Sequence, residues 1–289
     1  MAAAIALNEI YAIAFYAAAL LSVIVGAYVY VLNSSNKLNR LFWFISLSLG
    51  IWAFSYSMVS TSSSYGAALV WNRASSFGWG LIYSLLLHYF LTLSGRDKFL
   101  SHFYSYLLIY IPALVVVYVF GINGSIASAE FELVQTLAGW ANVSADSFFD
   151  WFFYLYYVIF SLLSVLVLWA WQRKTDDKRA RKTVLIISIS LAASLSIGGL
   201  TDVLFRSSLQ ELRPQLGVIY ALFPVFAVLY SVKKHGIMRS SYAIIDTKPG
   251  RVLAFEKRAG FYSILATVLI AGSCLYLLVD FLVLKNSLN

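Results

Sequence analysis

The sequence predicts an all-α integral membrane protein: a bundle of seven transmembrane helices with an eighth appended. Three observations carry this. The 289 residues are 61% hydrophobic and only 12% charged, too few charges to cover a water-facing surface, since soluble chains carry about 25%. The apolar runs are long enough to cross a hydrocarbon core of about 30 Å, which takes about 20 residues as a helix. They also lack the two-residue alternation of barrel strands, the other form a bilayer admits. A disordered chain, a disulfide-stapled module and an ordinary cytosolic enzyme are excluded.

The spans fall at residues 8–32, 41–60, 67–93, 103–121, 148–171, 183–205, 215–232 and 261–283. Residues 8–238 form the seven-helix unit, 239–260 a basic connector and 261–284 the eighth helix. No Lys or Arg precedes the first apolar run. The basic start of a cleaved signal peptide is absent, so the first span is expected to stay in the mature protein. The sequence stops soon after the eighth run, and a fragment of a longer receptor is expected, with a complete stand-alone protein as the alternative. Cys274 is the single cysteine and lies in an apolar run, so neither a disulfide framework nor a cysteine-rich metal site can form.

Charges set the orientation, because Lys and Arg gather on the cytoplasmic side. Lys37 and Arg40 follow helix 1, and Arg96 and Lys98 follow helix 3. The connections after helices 5 and 7 carry two larger basic groups, running from Arg173 to Lys182 and from Lys233 to Arg258. Only Arg73, Arg206, Arg213 and Lys285 of the 21 basic residues fall elsewhere. Alternate connections are therefore cytoplasmic and the amino terminus is outside. The net charge of +8 is a topology signal, since it is spread over short loops without a nucleic-acid-binding module. The outer connection from 122 to 147 carries Glu130, Glu132 and Asp146 without Lys or Arg. Its stretch 130–140 reads as a short amphipathic helix over the bundle mouth or as a solvated loop with Trp140 at the interface.

An ionisable group within a span costs about 2.5 to 3.5 kcal/mol on insertion scales and needs a partner or a wet cavity. Arg73 lies about six residues, roughly 9 Å, into helix 3 from its outer end, and Asp202 lies near the outer end of helix 6. At a shared depth the two are expected to form an ion pair or a common polar site. Ser76, Gly80, Tyr83 and Ser84 fall on broadly the same face as Arg73, with Trp71 and Trp79 as neighbouring aromatics. Gly198 and Gly199 precede Asp202, where small residues permit close helix approach. A pair that only fixes helix packing fits equally well. As a ligand site, the guanidinium favours a carboxylate or phosphate-like group and the aromatics an apolar body. Asp150 and Trp151 open helix 5 and are placed to line the same mouth, although Asp150 also suits a helix start with exposed amides.

His88 and His102 flank the inner side of helices 3 and 4 without acidic or cysteine partners at metal spacing, so no metal is expected. No phosphate loop, Ser-His-Asp set or paired catalytic carboxylates can be assembled, and helix 7 has no lysine for a retinal Schiff base. No cofactor and no enzymatic activity are expected.

The stretch Asn36-Lys-Leu-Asn-Arg-Leu-Phe, then Trp52, then Trp71-Asn-Arg-Ala-Ser-Ser-Phe-Gly and the aromatic-rich run from Tyr89 to Gly95 resemble the amino-terminal seven-helix region of bacterial sensor histidine kinases and diguanylate cyclases. The likeness covers residues 8–238. It implies a sensory input module in the bacterial inner membrane that detects an extracytoplasmic or intramembrane ligand and signals to a cytoplasmic kinase or cyclase, fused downstream or separate. It also implies, by analogy, a homodimer. The sequence departs from that pattern after Lys233-Lys234-His235-Gly236, where a basic connector and another apolar run follow. Bilayer lipids and a small ligand are the other expected partners, and nucleic acid is not one. The alternatives are a small-molecule transporter or lipid-handling membrane protein, which would favour inverted repeats and broken helices, and an anchor without ligand.

Overall fold

The computed structural model describes residues 2–123, 132–136, 139–143, 147–174, 178–199 and 216–235. In chain order its helices are α1 (Ala2–Leu32), α2 (Lys37–Thr61), α3 (Tyr65–Leu93), a single turn α4 (Asp97–Leu100), and α5 (Phe103–Val117), which continues as a π turn over Tyr118–Ile122. A two-stranded hairpin follows, β1 (Glu132–Thr136) and β2 (Gly139–Val143), then α6 (Phe148–Lys174), α7 (Lys178–Gly199), α8 (Gly217–Tyr220) and α9 (Leu222–His235). Six of these helices are long and apolar enough to cross a membrane, and Gly217–Ser231 is a shorter apolar helical stretch. The all-helical membrane bundle expected from the sequence is what forms. The connector over 239–260 and the eighth span lie outside the described residues.

The helices pack as a ring: α1 on α2, α2 on α3, α3 on α5 and α6, α6 on α7, and α7 on α8 and α9, which close against α1. Successive long helices reverse direction across short connections, so Lys37, Arg40, Arg96, Lys98, Arg173, Lys174, Arg181 and Lys182 all come to one end. The hairpin occupies the other.

The motif around Asn36 has a mechanical explanation. Asn36 caps α2 by accepting the Leu38 N–H at 2.8 Å, and Asn39, fully buried, donates Nδ2 to the Val29 carbonyl at 2.6 Å. The start of α2 is thereby tied to the end of α1, because a capping oxygen satisfies amides that the first turn leaves unpaired. Further along, Ser57 donates to the Ala12 carbonyl at 2.8 Å and Ser48 to the Gly78 carbonyl at 2.7 Å. Gly78 allows the α2–α3 contact: a Cβ there would stand 2.5 Å from the Ser48 carbonyl and 2.6 Å from the Trp52 backbone. Small residues bring membrane helices close enough for such packing.

The connection from 122 to 147 departs from expectation. Over Glu132–Thr136 the chain is extended, not helical, and it pairs antiparallel with Gly139–Val143 so that Thr136 faces Gly139. Gly139 has a positive φ of 98° and presses against the Ser60 backbone, a conformation and a proximity that only glycine accepts. Leu133 is buried in the strand while Val134 and Gln135 are exposed. Trp140 locks the hairpin down, donating Nε1 to the Ser62 carbonyl at 2.9 Å and meeting the Tyr65 ring edge-on.

The break between α8 and α9 also has a local cause. Pro224 offers no N–H to the Tyr220 carbonyl four residues back, and its ring crowds that carbonyl, so one helix stops at Tyr220 and another begins at Leu222. On the outside of the ring, Leu107, Ile111 and Leu114 of α5 and Leu155, Leu162 and Leu166 of α6 stand exposed, a belt that only lipid can cover at low cost. Arg173 lies over the Trp169 ring at 3.5 Å from its centroid, a pairing suited to the headgroup level.

Candidate functional site

A cavity of about 140 Å³ sits inside the ring, walled by α2 and α3 on one side, by α6, α7, α8 and α9 on the other, and by the π turn that ends α5. Its lining is largely apolar and rich in aromatic rings. The π turn delivers Phe120 to 5.5 Å from the Trp79 ring; an extra residue per turn widens a helix, and such turns recur at functional sites. Phe153 meets Trp79 edge-on at 4.7 Å, and Tyr83 meets Tyr157 at 4.9 Å. Trp52 forms part of the wall and buries its indole N–H without an acceptor among the described residues. No Lys, Arg or His lines the cavity among the described residues; Asp150 is its one carboxylate.

Asp150 is held by the start of its own helix. Ser147 Oγ accepts the Asp150 N–H at 3.2 Å, while Asp150 Oδ2 accepts the Ser147 N–H at 3.0 Å and its hydroxyl at 2.9 Å. This reciprocal capping box satisfies two orphan amides and fixes the side chain at the rim of the cavity. Below it on α6, Phe153, Tyr154 and Tyr157 follow at the i+3, i+4 and i+7 positions, the spacing that lines one helix face.

Behind the aromatic wall lies a polar node. Tyr156, almost wholly buried, donates its hydroxyl to the Gly80 carbonyl at 3.0 Å and accepts the Ser84 N–H at 3.0 Å. These two backbone groups are four residues apart on α3, so the hydroxyl of α6 bridges one turn of its neighbour. The Ser84 hydroxyl lies 2.8 Å from the same oxygen and donates to the Ile109 carbonyl of α5. Three helices thus meet at one set of fully satisfied groups, which in a low-dielectric interior is a strong positional constraint.

The residues singled out in the sequence divide between places. Trp79, Tyr83 and Asp150 line the cavity. Arg73 is half-buried on α3 and is not part of the wall. Six residues at about 100° each carry Trp79 about 120° round the helix from it. Ser76 is buried and donates to the Arg73 carbonyl at 2.8 Å. Trp71 belongs to a separate small cluster with Val59, where Phe54 meets it edge-on at 5.6 Å beneath Trp140. Asp202 lies outside the described residues, and the Arg73–Asp202 pair with it. Trp151, expected at the mouth, is largely exposed on the outer surface. Gly198 lies on the cavity wall, 3.4 Å from Gly217 measured from its added Cβ. Gly199's side of the helix is not described.

The two histidines lie apart. His88 Nδ1 is 2.8 Å from the Tyr110 hydroxyl, whereas His102 is exposed and its Nδ1 lies 2.9 Å from the Lys98 carbonyl. Among the described residues no group of three His, Cys, Asp or Glu side chains is placed to hold a metal ion.

Residues 14–210 match the family model for the N-terminal 7TM region of histidine kinase. The chain belongs to this family. No curated protein and no solved structure matches it. As an N-terminal 7TM region of a histidine kinase it is a multi-pass membrane protein of the sensory, signal-transducing class. The matched range runs from within α1 through α7, and takes in all of the cavity wall except α8 and α9. The aromatic residues that α6 adds to that wall, Phe153, Tyr154 and Tyr157, escape a sequence reading, although the spacing from Asp150 to Tyr157 was there to find.

Proposed function

We propose that this chain is the sensory input module of a bacterial inner-membrane receptor, and that the aromatic cavity is its ligand site. The observation that carries the proposal is the cavity's position. One wall belongs to α2 and α3, the other to helices that lead through α9 toward whatever follows residue 235. A ligand bridging the two walls favours the packing that fits it, and differential affinity for two packings is what signalling requires. The gathering of basic residues at one end makes that end cytoplasmic and leaves the amino terminus and hairpin outside. The chain supplies the input and no chemistry of its own. Its output partner is a kinase or cyclase module, fused or separate, and its working form is a homodimer. Asp150, Trp79 and Tyr83 are its binding residues; Arg73, Trp71 and Ser76 act in packing at the outer end.

Two measurements test this. Native mass spectrometry of the chain released from membranes is expected to find a small molecule that is absent from Leu191→Phe, where the added ring fills the cavity; an empty protein in both cases would overturn the site. In a Cys274→Ser background, an impermeant thiol reagent is expected to label Lys174→Cys only from the cytoplasmic face. Labelling from the periplasm would invert the orientation.

A further inference from the structure

The chemistry of the cavity specifies more than its presence. Its wall offers aromatic rings and one carboxylate, and among the described residues no cationic side chain reaches it. We infer that the cavity takes a small organic ammonium ion. The inference rests on the proposed function above, since it names the ligand class of the same site.

Size comes first. A cavity of about 140 Å³ is close to the roughly 150 Å³ that holds benzene, so the occupant has about six to eight non-hydrogen atoms. Charge comes second. The Ser147 amide and hydroxyl both donate to Oδ2 of the Asp150 carboxylate. They orient the group and leave its second oxygen without a partner among the described residues, at the rim of a mostly apolar space. Among the described residues, an anion entering here meets like charge and no cationic side chain. A neutral hydrocarbon leaves the carboxylate unpaired. An ammonium ion pairs with Asp150 and lies among Phe153, Tyr154, Trp79 and Tyr157, whose ring faces attract a desolvated cation.

Choline and 3,3-dimethylbutan-1-ol make the test, because they share shape and hydroxyl and differ by a charged nitrogen in place of a carbon; 3,3-dimethylbutanoate is the anionic counterpart. Each is titrated calorimetrically into the full chain in lipid nanodiscs, and Leu191→Phe subtracts partition into lipid. Choline is expected to bind at least about tenfold tighter than the neutral alcohol, the scale of one charge-assisted contact. Asp150→Asn, which keeps an oxygen for the Ser147 amide, removes that preference. Ser147→Ala, which weakens the cap and keeps the carboxylate, retains it. If the alcohol or the anion binds as tightly as choline and Leu191→Phe abolishes that binding, the ammonium inference is overturned while the cavity stands as a ligand site. Choline failing to bind at millimolar concentration also overturns it, and the mass-spectrometric comparison judges the cavity separately.

Discussion

The first three helices and the last four described ones are built differently. In α2 and α3 the most apolar windows are 61% and 67% buried, against 22% and 28% in α6 and α7. The first group is held by serine and asparagine bonds to backbone carbonyls and by a glycine at the crossing. The second turns Phe153, Tyr154 and Tyr157 toward the cavity and leaves many of its other side chains, aliphatic and aromatic, exposed on the outside. Backbone-to-backbone packing has one good geometry, whereas large rings over a void have several. In the proposed function the two groups have different tasks: α2 and α3, backed by α1, serve as the fixed wall, and α6 to α9 as the wall that adjusts. The Tyr156 node is the hinge pin between them, because it is the place where the second group grips the backbone of the first.

Breaking the fixed wall costs most. Gly78→Val drives a side chain into the Ser48 carbonyl and the Trp52 backbone, and a loss of about 3 kcal/mol or more is expected, seen as a collapse in the yield of monodisperse protein or a lower melting temperature in detergent. Cutting the pin comes next. Tyr156→Phe leaves the hydroxyl's partners on α3 unsatisfied, for about 2 kcal/mol by thermal unfolding, with faster backbone exchange around Ser84. Releasing the hairpin costs less: Trp140→Phe removes the bond to the Ser62 carbonyl, for about 1 kcal/mol, and leaves the cavity's affinity unchanged. Smallest is Leu162→Ala on the lipid face of α6, expected within about 0.5 kcal/mol of the parent. A large effect there would show that α6 buries this face against another copy or another helix.

The fold was legible in the sequence because hydropathy and charge act over whole segments. Runs of about 20 apolar residues can only be spans, and basic residues mark their ends whatever the packing. What depends on a single contact was not legible. The hairpin over 132–143 needs Gly139 beside Ser60, and the π turn at Tyr118–Ile122 makes no mark in the apolar pattern. The candidate site shows the same division. Arg73 stands out because charges in spans are rare, yet its helix face turns it away from the cavity. Asp150 was placed correctly at a helix start. Phe153, Tyr154 and Tyr157 could not stand out in a chain that is 17% aromatic, where rings fill lipid-facing, packing and cavity positions alike. Asp202 remains outside the described residues, and its pairing with Arg73 is a matter for double substitution.

The relative freedom of the two walls is open to direct measurement by the distance between spin labels in lipid nanodiscs, on a Cys274→Ser background. Labels at Arg40→Cys and Arg96→Cys report within the fixed group, and labels at Arg40→Cys and Lys174→Cys report between the groups. The first pair should give one narrow distance. The second should give a broader or divided distribution that narrows to a single population when Leu191→Phe fills the cavity. Equal widths for the two pairs, or a second distribution unmoved by filling the cavity, would contradict a bundle with one fixed and one adjustable wall.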